Sequence, residues 1–166
     1  MDIVAHGLWA AAGGIAGKRR GFRISLPWLV FWAGFPDILA FGPTVAVGLW
    51  MLLTTGAVGR HVHPGLPLYP LGHSLVTFAT VFGLSWLALR RPPLALLGWL
   101  SHILIDIPTH SYSYYATSFL WPFSDFGIDG LPWWTRWFLV ATYAGLAVVY
   151  ALMWRAGWLR RGPKVS

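Results

Sequence analysis

The chain of 166 residues contains no cysteine and no glutamate, and only 10% of its residues are charged. Without cysteine there is no disulfide and no thiolate ligand, so a bound metal would have to be held by histidine and aspartate. So few charges cannot cover the surface of a soluble domain, in which about a quarter of the residues are charged. Hydrophobic residues make up 57% of the chain and predict an integral membrane protein.

The net charge of +7 does not indicate a nucleic-acid partner, because the basic residues flank apolar runs. They cluster at 18–23, at Arg90–Arg91 and at 155–164. Lys and Arg beside apolar segments are typical of cytoplasmic loops of membrane proteins. The twelve tryptophans gather near the ends of the apolar runs and suit interfacial anchoring. The expected partners are therefore membrane lipids, and no nucleic acid.

The apolar runs predict an all-α, polytopic helical bundle that forms a single integral-membrane domain over 1–166. A spanning helix needs about 20 residues. The five candidate spans are 3–17, 24–41, 73–89, 93–108 and 133–154. A sixth run, 43–58, is predicted to be a separate interfacial or re-entrant segment. That arrangement puts all three basic clusters on the cytoplasmic side and the N-terminus outside.

The connection 109–132 is long, aromatic and too apolar for a disordered loop. It predicts an ordered lid over the outer face of the bundle. Ser124, Asp125 and Asp129 within it are expected to cap turns.

The most informative stretch is "LGWLSHILIDIPTH", residues 97–110, which places His102, Asp106 and His110 at intervals of four in an apolar run. An i, i+4 spacing brings His102 and Asp106 onto one helix face, where they can share one divalent metal or bridge two. The alternative is an aspartate that fixes a histidine tautomer in a polar helix interface. Pro108 disturbs the helix, so His110 is at most an auxiliary ligand.

Three further ionisable residues are expected at a similar depth of the bundle: His6, Asp37 and His73. A carboxylate within a span costs about 2.5–3.5 kcal/mol on insertion scales, which favours Asp37 as a paired ligand. The alternative for Asp37 is a helix cap at the start of the 38–58 run. His73 and His6 each have an alternative as a histidine bonded at an interface or to a neighbouring helix. His61 and His63 fit solvated loop residues.

Four short motifs together resemble the LexA-regulated, membrane-bound metal-dependent hydrolase family: "PD" at 36–37, "GHS" at 72–74, "SHILID" at 101–106 and "WPFS" at 121–124. The resemblance covers nearly the whole chain in the family's order, and "SHILIDIPTH" is its most specific part. That family is in turn distantly similar to zinc-dependent bacterial phospholipase C.

The resemblance implies that five residues are metal ligands, with Asp106 or Asp37 able to bridge: His6, Asp37, His73, His102 and Asp106. The chain departs from the family at Leu39, where members carry a second aspartate. It departs again at Leu68, Tyr69 and Pro70, which stand in place of H-R-G and remove one histidine. His110, His61 or His63 are possible replacement ligands.

The leading hypothesis is a metal-dependent hydrolase of the prokaryotic inner membrane that cleaves a lipid phosphoester or ester on the extracytoplasmic side. One or two zinc ions, or manganese, would activate water. Asp37 and Asp106 are the candidate catalytic carboxylates, while Ser74, Ser124 or His110 would position the lipid-like substrate. One alternative is an ion or proton transporter, or a metal-binding membrane protein, that uses the same cluster. A second is a structural protein whose polar cluster holds helices together.

Overall fold

A computed structural model describes residues 1–56 and 66–159 of the chain. The described residues form six α-helices: α1 (Ile3–Arg19), α2 (Leu26–Thr55), α3 (Tyr69–Gly72), α4 (Leu75–Leu89), α5 (Leu97–Thr109) and α6 (Arg136–Arg155). Short 3₁₀ turns at Leu66–Leu68 and Leu94–Leu96 precede α3 and α5. No β-strand occurs within 1–56 or 66–159, so the prediction of an all-α fold is confirmed.

Local chemistry explains where several helices begin and end. The Asp2 carboxylate accepts hydrogen bonds from the amides of Val4 and Ala5 and caps α1. The Ser74 hydroxyl does the same for the first turn of α4. Helix α2 ends at Gly56, whose φ of 69° is the left-handed conformation that glycine adopts without strain.

The predicted break within the second apolar run is wrong. Helix α2 continues without interruption from Leu26 to Thr55, so 43–58 is not a separate segment up to Thr55. Pro36 and Pro43 lie inside this helix, where each removes one backbone hydrogen bond. At 1.5 Å per residue its 30 residues extend about 45 Å, longer than the hydrocarbon core of a bilayer.

The first half of α2 is the centre of the packing, because both α1 and α5 lie against it. Close approach depends on small residues. A Cβ on Gly98 of α5 would lie 2.0 Å from the Leu29 carbonyl oxygen, so only glycine fits there. Around this contact, Phe78, Leu96, Trp99 and Ile103 form a buried apolar cluster beneath the partly buried Trp32 and Phe35.

Within 1–56 and 66–159, two helices, α2 and α6, are long and apolar enough to cross a membrane. Only 6% of the most apolar window of α2 and 17% of that of α6 are buried within the protein. A core helix of a soluble protein would be mostly buried, so these exposed apolar surfaces favour contact with lipid. Helices α4 and α5 are apolar but shorter, and the expectation of five spans stays a prediction.

The predicted lid is ordered by hydrogen bonds to the helices beneath it. The Leu75 amide donates to the Phe119 carbonyl, and the Leu131 amide donates to the Pro108 carbonyl. The Asp129 carboxylate accepts from the Tyr112 amide. These bonds fix the connection between α5 and α6 over the ends of α4 and α5.

Candidate metal centre

Three separate parts of the fold bring four ligand-type side chains together. Asp37 comes from the middle of α2, His73 from the junction of α3 and α4, and His102 and Asp106 from successive turns of α5. One ligand atom from each of the four lies within 4.8 Å of every other. The arrangement contradicts the alternative in which Asp37 caps a helix, because Asp37 lies inside α2.

The distances among His73, His102 and Asp106 match those of ligands around a single ion, and Asp37 lies farther from both histidines. The Nε2 atoms of His73 and His102 are 3.1 Å apart. Asp106 Oδ2 lies 3.5 Å from the first and 3.0 Å from the second. Asp37 Oδ1 lies 3.9 Å from each. Nitrogen or oxygen ligands bound tetrahedrally to zinc at about 2.0–2.1 Å stand about 3.3 Å apart.

The hydrogen-bond partners of the outer Nδ1 atoms of His73 and His102 determine the tautomer of each ring. His73 Nδ1 lies 2.9 Å from the Tyr69 carbonyl oxygen, and His102 Nδ1 lies 2.7 Å from the Ala33 carbonyl oxygen. A carbonyl only accepts, so each Nδ1 carries the proton and donates it. In the neutral rings both Nε2 atoms therefore present lone pairs to each other and to two carboxylates. A cation between them relieves that repulsion, and this orientation of the ring is typical of metal-bound histidine.

The cluster is closed to solvent on all but one side. His73, His102 and Asp106 are fully buried, whereas the Asp37 side chain is 17% exposed. Asp106 Oδ2 has no hydrogen bond with acceptable geometry to any described residue. A buried carboxylate oxygen without a donor is costly. A bound cation would satisfy it, so the donor set fits a metal.

His6 lies against the cluster from α1. Its ring stacks on His102 with the centroids 3.8 Å apart, and its Nε2 is 2.9 Å from Asp106 Oδ1. Neither ring nitrogen makes a well-aligned hydrogen bond to the described residues, although the side chain is fully buried. The predicted convergence of His6 with the other four is therefore present in the structure, and its role as a ligand stays a prediction.

His110 also stays beside the cluster, although α5 ends before it. Its Nδ1 is 3.4 Å from Asp106 Oδ1. Burial lowers the pKa of His110 to about 4, so the imidazole is neutral near pH 7 and keeps a lone pair. His110 and Asp37 both line a cavity of about 610 Å³ that opens beside α2.

The two serines predicted as positioning groups have structural partners. The Ser74 hydroxyl accepts from the amides of Val76 and Thr77 and donates to the Trp121 carbonyl oxygen at 2.5 Å. Ser74 thereby joins the start of α4 to the lid. The Ser124 hydroxyl accepts from the Phe126 amide, as expected of a residue that caps a turn. Neither hydroxyl lines the cavity that reaches Asp37.

Sequence reasoning missed three groups that surround the cluster. Tyr69 accepts from His73 through its carbonyl and stacks on the same ring with centroids 3.8 Å apart. Tyr69 and His73 are four positions apart in the sequence, and this spacing was a local signal for the contact. The Ala33 carbonyl and the Met1 amino group, 2.5 Å from Asp106 Oδ1, have no such signal because they come from distant parts of the chain.

His61 and His63, the other replacement ligands considered, lie outside the described residues. No family model, curated protein or solved structure matches the chain. The resemblance to the membrane-bound hydrolases therefore stays a prediction from the four motifs, and the geometry of the cluster carries the functional argument.

Proposed function

We propose that this protein is a membrane-embedded metal-dependent hydrolase that cleaves a phosphoester or ester bond of a lipid. The observation that carries the proposal is the pair of Nε2 atoms 3.1 Å apart, flanked by two carboxylates, on rings whose Nδ1 atoms each face a backbone carbonyl. Helix pairing alone would not direct these groups at one point, because the buried Asp106 Oδ2 would then lack a donor.

A divalent metal suits this donor set. Two imidazoles and two carboxylates fit zinc, and manganese accepts the same ligands. His73, His102, Asp106 and Asp37 would hold the ion. The two oxygens of Asp106 face different histidines, Oδ2 towards His102 and Oδ1 towards His6, so Asp106 and His6 could also help to hold a second ion. When bound, the metal supplies Lewis acidity and makes water a better nucleophile near neutral pH.

The two carboxylates differ in burial, and we assign them different roles for that reason. Asp106 is fully buried and acts as a ligand, since a substrate cannot touch it. Asp37 has exposed surface at the cavity. The carboxylate oxygen of Asp37 that does not hold the ion would accept a proton from the attacking water and return it to the leaving alkoxide as the ester bond breaks. His110, neutral and at the mouth of the same cavity, would orient the cleaved group.

The surroundings favour an amphiphilic substrate. The exposed faces of α2 and α6 are apolar, and the cavity that reaches Asp37 is lined mainly by apolar side chains. A lipid entering from the side of the bundle would bring its polar group to the cluster without leaving an apolar environment.

Metal content of the detergent-purified protein tests the proposal most directly. We expect about one or two zinc or manganese ions per chain, lost in both His102→Ala and Asp106→Ala. Asp125→Ala removes an exposed carboxylate of the lid and serves as the matched control, which should keep its metal. The loaded protein should hydrolyse a fluorogenic phosphodiester or carboxylic ester in mixed micelles. Protein that stays metal-free after incubation with excess Zn²⁺ and Mn²⁺ would contradict the proposal.

A further inference from the structure

A groove runs from the metal centre along the outside of α2. It has a volume of about 610 Å³, within the range of small-molecule sites. We call it the α2 groove. Its walls come from the start of α1, the stretch 37–49 of α2 and the lid residues His110, Tyr114 and Trp133.

One end of the α2 groove is polar and touches the cluster. Asp37 lines this end, and its side chain is 17% exposed, whereas that of Asp106 is 1% exposed. His110 and Asp2 lie at the same end. A molecule that reaches the cluster from the groove therefore meets Asp37 first.

The remainder of the groove is an apolar wall. Ile38, Phe41, Val45 and Leu49 follow one another at intervals of three or four residues and so lie on one face of α2. From Ile38 to Leu49 this face extends about 16 Å at 1.5 Å per residue. Ile38, Val45 and Leu49 are each about half exposed, so the groove is open along its side.

Charge narrows the choice of occupant. The side chains that line the groove, among the described residues, include the acids Asp2 and Asp37 but neither lysine nor arginine. An anionic peptide would find no basic partner there. A long apolar chain that ends in one cleavable polar group matches both the apolar wall and the polar end of the α2 groove.

We infer that the α2 groove binds a single acyl chain of a membrane lipid and places the lipid's ester or phosphoester group at Asp37. The inference rests on the proposed function for the identity of the polar end. It adds that the substrate is selected by its tail, through Val45, Ala46 and Leu49, and that it enters laterally between α2 and the lid.

Photolabelling tests this site independently of hydrolysis. The full chain is reconstituted in phosphatidylcholine vesicles that contain increasing fractions of a phosphatidylcholine with a diazirine on its acyl chain. Labelled peptides are identified by mass spectrometry. The comparison uses wild type, Ala46→Trp, which fills the groove, and Val47→Trp, a matched control on the neighbouring residue that does not line it.

We expect labelling of 38–49 to saturate at a low fraction of the probe. In Ala46→Trp it should fall about tenfold, equivalent to about 1.4 kcal/mol, and in Val47→Trp it should stay at the wild-type level. Gly42→Leu is a second variant that narrows the groove, because Gly42 lines it. The fold should tolerate the change, since a Cβ there meets only Ile38 at an ordinary 3.7 Å. Gly42→Leu should also lower labelling.

Labelling that rises without saturation and spreads evenly over α2, α4 and α6 would overturn the inference, since it indicates bulk lipid only. A dimer seen by native mass spectrometry and dissociated by Ala46→Trp, with 38–49 unlabelled, would overturn it in favour of a second copy of the chain. Metal content is measured on the same samples. Saturable labelling of a metal-free protein would contradict the hydrolase proposal but keep the acyl-chain site.

Discussion

The two halves of α2 have similar composition but opposite surroundings. Before Asp37 the helix buries Leu29, Ala33, Gly34 and Pro36 against its neighbours. After it, Ala40 is the last buried residue, and Leu53 is 82% exposed. The first half turns small residues such as Ala33 and Gly34 towards other helices, and the second presents large apolar side chains outward. Asp37 stands at the boundary, where the candidate metal centre meets the α2 groove.

The comparison shows why a carboxylate is tolerated in so apolar a helix. The packed half brings His73 and His102 within 3.9 Å of Asp37. The exposed half gives the same side chain an opening to the exterior. Neither half alone would produce a site that is both pre-formed and accessible.

The largest loss of stability is expected from Gly98→Leu, which disrupts the packing of α5 against the first half of α2. The new Cβ would meet the backbone of Leu29 and Ala33 at 2.0 and 2.9 Å, so α5 must move away from α2. We expect a loss of about 3 kcal/mol or more and a loss of the metal with it. The size-exclusion profile and the thermal midpoint report the loss of stability, and the metal content reports the loss of the metal. Gly83→Ala in α4, where a Cβ meets nothing within 4 Å, is the control; it should keep the elution profile and the metal and should not lower the thermal midpoint.

A matched pair of leucine truncations compares the two halves directly. Leu29→Ala opens a cavity at a residue that is 4% exposed and should cost about 2–5 kcal/mol. Leu53→Ala changes an exposed residue of the same helix and should stay within about 0.5 kcal/mol. Thermal or denaturant unfolding in detergent gives the difference. Equal losses would mean that the second half is covered by something beyond the described residues.

A lysine on the exposed half distinguishes lipid from water as its surroundings. Val47→Lys places a charge on an apolar face away from the groove. In lipid it should cost up to about 2.5–3.5 kcal/mol and lower the yield of membrane-inserted protein. Val47→Thr is the control and should insert normally. Unchanged yield together with a soluble, folded Val47→Lys protein would argue against a membrane location for α2.

The smallest effect concerns the shell around His73. Tyr69→Phe keeps the ring that stacks on His73 but removes the hydrogen bond from the Tyr69 hydroxyl to the Tyr115 carbonyl, 3.1 Å long. We expect a loss of about 0.5–1.5 kcal/mol of stability with zinc affinity unchanged. Tyr69→Ala removes the stacking as well and should weaken zinc binding. Isothermal titration of metal-stripped protein separates the two variants, and equal affinities would show that the ring does not orient His73.

Most helix positions were predictable because each follows from a local apolar run. The predicted spans 3–17, 73–89, 93–108 and 133–154 each fall within four residues of the observed helix ends. The error lay in α2, where Pro43 reads locally as a helix end. Continuous apolar residues on both sides carry the helix through it, as happens when the surroundings offer the backbone no other hydrogen-bond partner.

The sequence by itself determined the composition of the site: without cysteine or glutamate, only histidine and aspartate could form it. It also determined the pairing of His102 with Asp106, because that spacing is fixed by the helix period. Only the tertiary structure decided that His73 faces His102 and that the Ala33 carbonyl fixes the tautomer of His102. Those contacts join residues 29 and 69 positions apart, and they depend on how closely α5 approaches α2 at Gly98. Helix periodicity orders neighbours on one face, whereas the distance between two helices is set by packing that no single segment encodes.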